Sequence, residues 1–476
     1  MSQKKVFTNT FYFGIVPKIT TLANLVILPI ITPYLTTFDY GIQGVMLSYT
    51  GLIAMVAPLG LHVHLSNSYY EIPRNFQLVW GRVLFCFLIS GLVFGIINIA
   101  ILLKILPFPF SFELVLLSVL GSFQVLLFSN ALMASNLFML EGRPKPLVFT
   151  NLVSSLIGIT VSFILIYYFH LGYWGLIATP AISTLLSFLA FLKFIWKDYN
   201  IRPIYDRNIR RIKRMFAIGL PLVPHTMGFV LLASSAQIVM SIHNIPYDDI
   251  GLYSHGYSIG DQIVAITTAL VVAINPQLQV SYRSKNYKEY RKLFFFCQSF
   301  TLLLSLLFCL WMPEIYSILI KNDKLSASIT IASLTCFANV VYPLYVFMSS
   351  SAFIEKKTMY VLWLVFIPGF MNILLCYIFI PIFGYRAAVY STLASYWSQI
   401  FIPFVIPYFR LKVKMWMNNL GYLFVIFGIL LTTVIIANVL ISYGIIIRAL
   451  VTLVILAMFI LIVVKPQTLL SYVRKN

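Results

Sequence analysis

Lys18 follows Pro17 one to two turns into the first long apolar run of this 476-residue chain. A charge at that depth is expensive unless it pairs, snorkels or faces water, so Lys18 either lines a wet cleft or reaches back to the headgroups. Asp261, beside Gln262 in a later apolar run, raises the same question with opposite sign. A buried carboxylate must be protonated, paired or hydrated, which favours a functional role or a structural partner over a lipid-facing position. Tyr253, Tyr257, Ser258 and Asp261 recur at spacings compatible with one helical face. With His225, near Pro221 and Pro224 at the opening of another run, and Asn24 in the first, they supply a candidate polar cleft face.

Other chemistries find no support. His62 and His64 are two residues apart and do not share a helical face, so a metal pair from them is disfavoured. Cys86, Cys297, Cys309, Cys336 and Cys376 all fall inside apolar runs without ligand spacing and read as packing residues. The chain carries no GxxxxGK[ST], no HExxH, no usable GxSxG and no soluble segment large enough for an ATPase domain. Neither an enzyme nor a bound cofactor is expected.

The elements that must hold these groups are membrane helices. Hydrophobic residues make up 61% of the chain and charged residues 10%, with mean hydropathy +0.93, whereas a soluble domain carries about 25% charged residues. Apolar runs without period-2 alternation select helices over a barrel, and their lengths predict about 14 transmembrane helices. The opening MSQKKVFTNTFYFGIVPKIT reads as the first of these, without a convincing cleavage site for a leader. The last two are expected at 419–440 and 444–464. Pro58, Pro221, Pro224, Pro276 and Pro368 lie within or near span ends, where each can kink a helix or simply pack.

The formal net charge of +20 does not point to nucleic acid, because the basic residues sit in short gaps between apolar spans and form no continuous face. With a cytoplasmic N-terminus, all Lys and Arg except Lys18, Lys104, Lys321, Lys324, Arg386 and Arg448 fall on inside-facing segments. That asymmetry predicts an even number of crossings with both termini cytoplasmic.

Several stretches also recur in the same order. HLGYWGLIATPAIS, with Gly172 and Tyr173, is matched by PIFGYRAAVYSTLAS, with Gly384 and Tyr385. Short charged loops stand at Glu141 and Glu355, and VAPLGLHVH around Pro58 is matched by AINPQLQVS around Pro276. The chain therefore divides into an N-terminal six-helix half, 1–200, a C-terminal six-helix half, 201–414, and two additional transmembrane helices with a cytoplasmic tail, 415–476. The two six-helix repeats take a parallel orientation, and a cleft between such halves is the usual reason for the duplication.

With the repeat and spans in place, the chain resembles the multidrug, oligosaccharidyl-lipid and polysaccharide exporter superfamily, in its polysaccharide-biosynthesis flippase branch. The resemblance rests on IGLPLVPHT at the opening of the seventh span, expected at 215–241, Gly251 and Tyr253 in DIGLYSHGYSIG, Pro276, WMPEIYSIL near Pro313 and PIFGYRAAVYST. Many relatives carry an Asp-Arg pair late in span seven, where this chain has Ala236 and Gln237. The resemblance implies a cargo of oligosaccharide joined through pyrophosphate to a polyprenyl carrier, turned from the inner to the outer leaflet of a bacterial cytoplasmic membrane. Glycosyltransferases and a polymerase are the partners it implies, together with membrane lipid.

An anionic pyrophosphate needs cations on its way through hydrocarbon. Lys18 is the first candidate, with Arg82 near the cytoplasmic mouth second; Asn24, His225 and Tyr257 would line the sugar path. Asp261 either couples transport to a proton or sodium gradient or holds a nearby cation. Two other readings stand beside this one: an ion-coupled exporter of drugs or small lipids, and a non-transporting membrane scaffold for glycan enzymes.

Overall fold

The computed structural model describes residues 16–71, 75–416 and 447–453, which are built from helices with no strand among them. Eight helices among the described residues are long and apolar enough to cross a membrane: Phe76–Ile105, Pro144–Tyr167, Gly172–Asp198, Ile209–Ile242, Tyr247–Arg283, Tyr287–Leu310, Asp323–Ile354 and Thr358–Phe383. The protein is an all-α, multi-pass membrane protein. Hydrocarbon offers no partner for a free amide, so each apolar run closes its hydrogen bonds within itself.

The Phe76–Ile105 helix illustrates how its residues sort. Leu92, Val93, Ile96 and Ile97 face outward, while Gly91, Gly95 and Asn98 turn inward. Gly91 and Gly95 are one turn apart; a Cβ on Gly95 would run into the Leu126 side chain and one on Gly91 would crowd the Val125 and Leu126 carbonyls, the small-residue packing expected where lipid supplies no hydrophobic drive. Asn98 donates to Thr50 Oγ1 at 3.1 Å and to Ser122 Oγ at 2.8 Å, and Ser122 Oγ donates to the Ser118 carbonyl at 2.8 Å. The sequence predicts one span over 112–140, and this network sits where it is interrupted, between the Phe112–Gly121 and Phe128–Glu141 helices.

Packing divides the chain into two compact units. The first holds the described residues of 1–255, 319–327 and 365–391; the second holds those of 256–318, 328–364 and 392–476.

In the first unit, Trp80, Phe87, Met133, Leu137, Phe191 and Ile195 are fully buried in one core. The opening turns of the Thr37–Val56 and Tyr247–Gly260 helices cross at two glycines. A Cβ on Gly41 would strike the Tyr247 carbonyl, and one on Gly251 the Thr37 carbonyl. Thr36 and Asp39 form a reciprocal capping box at this crossing, the second Asp39 oxygen accepts from the Tyr173 amide at 2.8 Å, and the Thr37 hydroxyl donates to Asp248. The sequence predicts a span over 42–64, but this helix ends at Val56. Pro58 has no amide to donate, and Leu59 and Gly60 turn into the left-handed region before the His62–Glu71 helix begins.

In the second unit the core is built on Tyr290, Phe294, Cys297, Phe337 and Phe347. The Tyr290 hydroxyl donates to the Phe347 carbonyl at 2.7 Å, and Gln298 donates to the Val340 carbonyl at 2.9 Å. Pro276 lies inside the continuous Gln262–Arg283 helix, as Pro368 and Pro381 lie inside Thr358–Phe383. The five cysteines are free thiols, four buried and Cys86 partly so. The spans expected at 419–440 and 444–464 lie outside the described residues apart from 447–453, where Arg448 pairs with Glu314.

Candidate functional site

In the second unit, the Gln262–Arg283 and Tyr342–Ile354 helices run side by side in the same direction. Asn339, just before one, donates to Asp261, just before the other, at 3.2 Å; at the far ends Tyr282 donates to Glu355 at 2.7 Å. Between these fixed points lies a cavity of about 380 Å³. Asn275, Gln279 and Arg283 line one wall, and Tyr342, Ser349 and Ser350 the other.

The first wall has a simple periodic origin. Asn275, Gln279 and Arg283 follow one another at four-residue steps and share a helical face, on which all three are exposed. Val271, Leu278 and Tyr282 of the same helix are buried. A row of amides and a guanidinium facing hydrocarbon would lack partners, so this face is one that water or a polar ligand must cover. Amides and hydroxyls offer both donors and acceptors to sugar hydroxyls, while a guanidinium binds phosphate oxygens in a bidentate fork.

The cavity's two ends differ in chemistry. At one end Asp261 stands at the junction of the Tyr247–Gly260 and Gln262–Arg283 segments of one long helix. Tyr257 hydrogen-bonds Tyr396 hydroxyl to hydroxyl at 3.1 Å, and the Asp261 amide donates to the Tyr257 carbonyl at 2.9 Å. Two residues singled out from sequence, Tyr257 and Asp261, thus lie one helical turn apart at this end.

At the other end Glu355 accepts from Tyr282, from Tyr408 at 3.0 Å and from Lys412. Burial opposes its ionisation, but the Lys412, Tyr282 and Tyr408 donors outweigh that and hold the carboxyl below its usual range.

The remaining expected site residues belong to the first unit and do not line this cavity. Lys18 falls in the Val16–Ile31 helix, its side chain outside the described residues. Asn24 is exposed on that helix, and His225 is partly buried with its ring edge-on to Phe229, centroids 5.7 Å apart. Arg82 is held by Asp206, Nε to Oδ2 3.2 Å, and Arg211 reaches the same oxygen at 3.0 Å. The Asn208 backbone amide, followed by Arg211 and Arg82, keeps the Asp206 carboxyl below its ordinary range.

Sequence reading passed over Asn275, Gln279, Tyr342, Ser349 and Ser350, and took Arg283 only as a topology signal. The four-residue spacing of Asn275, Gln279 and Arg283 was the available clue. The serines carry no such signal, because only packing decides which hydroxyls on an apolar helix meet a cavity.

Comparison with known proteins agrees with this architecture. The chain has the fold of a multidrug-resistance MATE family transporter of the MOP superfamily in its inward-facing conformation, at 14% identity, with TM-score 0.62 over 88% of this chain and 100% of the other. It likewise matches the lipid II flippase MurJ in an inward closed conformation, at 15% identity and TM-score 0.64 over 95% of this chain and 99% of that one. An outward-facing MATE structure aligns with TM-score 0.51 at 14% identity, over 87% of this chain and 97% of its own. No curated protein matches the chain by sequence. Residues 6–281 match the family described as polysaccharide biosynthesis protein, more than half of the chain, and the chain belongs to that family.

Proposed function

We propose that the protein turns a polyprenyl-pyrophosphate-linked oligosaccharide from the inner to the outer leaflet of the bacterial cytoplasmic membrane, by alternating access, for surface polysaccharide synthesis. The reading includes fourteen crossings in two parallel six-helix repeats plus two C-terminal helices, with both termini cytoplasmic. The observation that carries it is the row Asn275, Gln279 and Arg283 along a cavity of about 380 Å³ in a helix long enough to cross the membrane. Such a wall suits a cargo that is hydroxylated and anionic at once. Lys18 retains the candidate role its sequence position gives it, as a further cation on the phosphate path. Membership in a polysaccharide biosynthesis family and a fold shared with a lipid flippase support the same cargo class. Glycosyltransferases and a polymerase are its proposed partners.

Asp261, held by Asn339, is the proposed point of coupling to a proton or sodium gradient. The test is leaflet exchange of a fluorescent lipid-linked oligosaccharide in proteoliposomes, with and without each gradient. Exchange should exceed that of protein-free liposomes, and Asp261→Asn should lose its dependence on one gradient. Movement of a fluorescent drug but not of the glycolipid would select the exporter reading; movement of neither would leave a scaffold.

A further inference from the structure

We propose that the first unit binds an anionic membrane phospholipid at a site separate from the glycan cavity, between the Phe76–Ile105 helix and the Ile209–Gly219 helix. A second cavity of about 380 Å³ lies there, almost wholly apolar, with Phe85, Ile89, Val93 and Phe94 on one side and Ile212 and Phe216 on the other. Its one polar edge holds Arg82 and Asp206.

The two faces of the Ile209–Gly219 helix separate sharply. Ile212, Met215 and Phe216 line the cavity, while Arg210, Arg211, Lys213 and Arg214 are exposed. The Ile209–Gly219 helix is followed by a 3-10 turn at Leu220–Leu222 and by the 20-residue Val223–Ile242 helix, whose roughly 30 Å already matches a hydrocarbon core of about 30 Å. The basic Ile209–Gly219 helix therefore lies at headgroup level. Ile89 and Val93 lie seven and eleven residues beyond Arg82 in one helix, roughly 10 and 16 Å along it, so the cavity runs from the headgroup level into the acyl region.

That geometry selects the ligand. A soluble anion has no use for an apolar slot, and a neutral headgroup has none for an arginine cluster whose nearby carboxylate, Asp206, is already shared by Arg82 and Arg211. A polyprenyl carrier is far longer than the slot, whereas a single acyl chain suits it. Each Lys or Arg near an anionic leaflet gains about 1 kcal/mol, and the slot adds apolar contact that surface attraction alone lacks. The site is independent of what the protein transports.

The full-length protein in detergent, with phosphatidylglycerol bearing a photoreactive acyl chain, tests the assignment. Labelling should map to 85–94 and 212–216 and fall at least fivefold when the same chain carries a phosphatidylcholine headgroup. Ile89→Trp, which fills the slot and leaves every charge, should reduce it similarly, and Arg82→Gln with Arg211→Gln, the two cations at the polar edge, should remove the headgroup preference. Equal labelling by both headgroups, or full labelling of Ile89→Trp, would overturn the site. Displacement of the label by a polyprenyl phosphate as readily as by phosphatidylglycerol would assign the slot to the carrier lipid and overturn the proposal as well.

Discussion

Pro58 and Pro276 stand in matched stretches of sequence, yet the two regions are built in opposite ways. Around Pro58 the helix stops, the chain turns through Leu59 and Gly60, and a new helix begins at His62. Around Pro276 the helix continues to Arg283. The positions one before, three after and seven after the proline are Ala57, Leu61 and Leu65 in the first region, all fully buried. In the second they are Asn275, Gln279 and Arg283, all exposed along a cavity. The first pattern is packing and the second a polar wall.

A second pair of regions has stayed alike. The Phe128–Glu141 helix ends at Gly142 with φ 64°, and the Tyr342–Ile354 helix is followed by Lys356 with φ 59°. The Arg143 amide donates to the Phe138 carbonyl at 2.9 Å and the Lys357 amide to the Ala352 carbonyl at 2.8 Å, the same left-handed helix stop. Tyr199 donates to Glu141 at 2.6 Å, as Tyr408 does to Glu355. Burial first and the Glu141 carboxylate second push the Tyr199 phenol up to about 12, and burial and Glu355 raise Tyr408 likewise. These anchors fix helix ends, and their geometry is alike although the residues around the two prolines differ.

The largest effect that would break the first comparison is on transport. Asn275→Leu with Gln279→Leu should lower glycolipid exchange at least tenfold, about 1.4 kcal/mol in barrier, while thermal unfolding in detergent shifts little because both side chains are exposed. Unchanged exchange would remove the wall from the mechanism. The mirror experiment is Leu61→Ala, which leaves a hole in a fully buried core position and should cost about 2–5 kcal/mol of stability. Exchange per folded molecule should be unaffected; a transport defect without destabilisation would mean the first region also handles cargo.

The smallest effect sharpens the second comparison. Glu355→Gln and Glu141→Gln should each lower stability by about 1 kcal/mol, read as a modest fall in unfolding temperature. The Glu355 contribution also has a pH signature. Because its folded carboxyl sits below the unfolded value of about 4.3, its stabilisation is complete above that value and fades as pH falls through the depressed one. Glu355→Gln should remove that acid dependence, and a wild-type stability flat from pH 6 to pH 3 would exclude the anchor role.

Much of the architecture was legible in residues because hydrocarbon leaves the backbone few choices. The helical class followed from apolar runs and period alone. Helix interruptions were harder: Pro58 breaks and Pro276 does not, although both are prolines with the same lost donor. Neighbouring groups decide whether that donor is replaced or the chain turns away. Arg82 illustrates the same gap, since its position near a span end was readable but its pairing with Asp206, far along the chain, was not.

The amino-acid order by itself determined that this is a multi-pass helical protein with basic segments between apolar spans, since transfer free energies act residue by residue. Which polar residues share a wall was decided only in three dimensions. Asn275 and Ser349 meet the same cavity because two distant helices run parallel, pinned by Asn339 to Asp261 and by Tyr282 to Glu355. Hydrogen bonds between remote segments depend on both ends arriving together, and no local pattern encodes that coincidence.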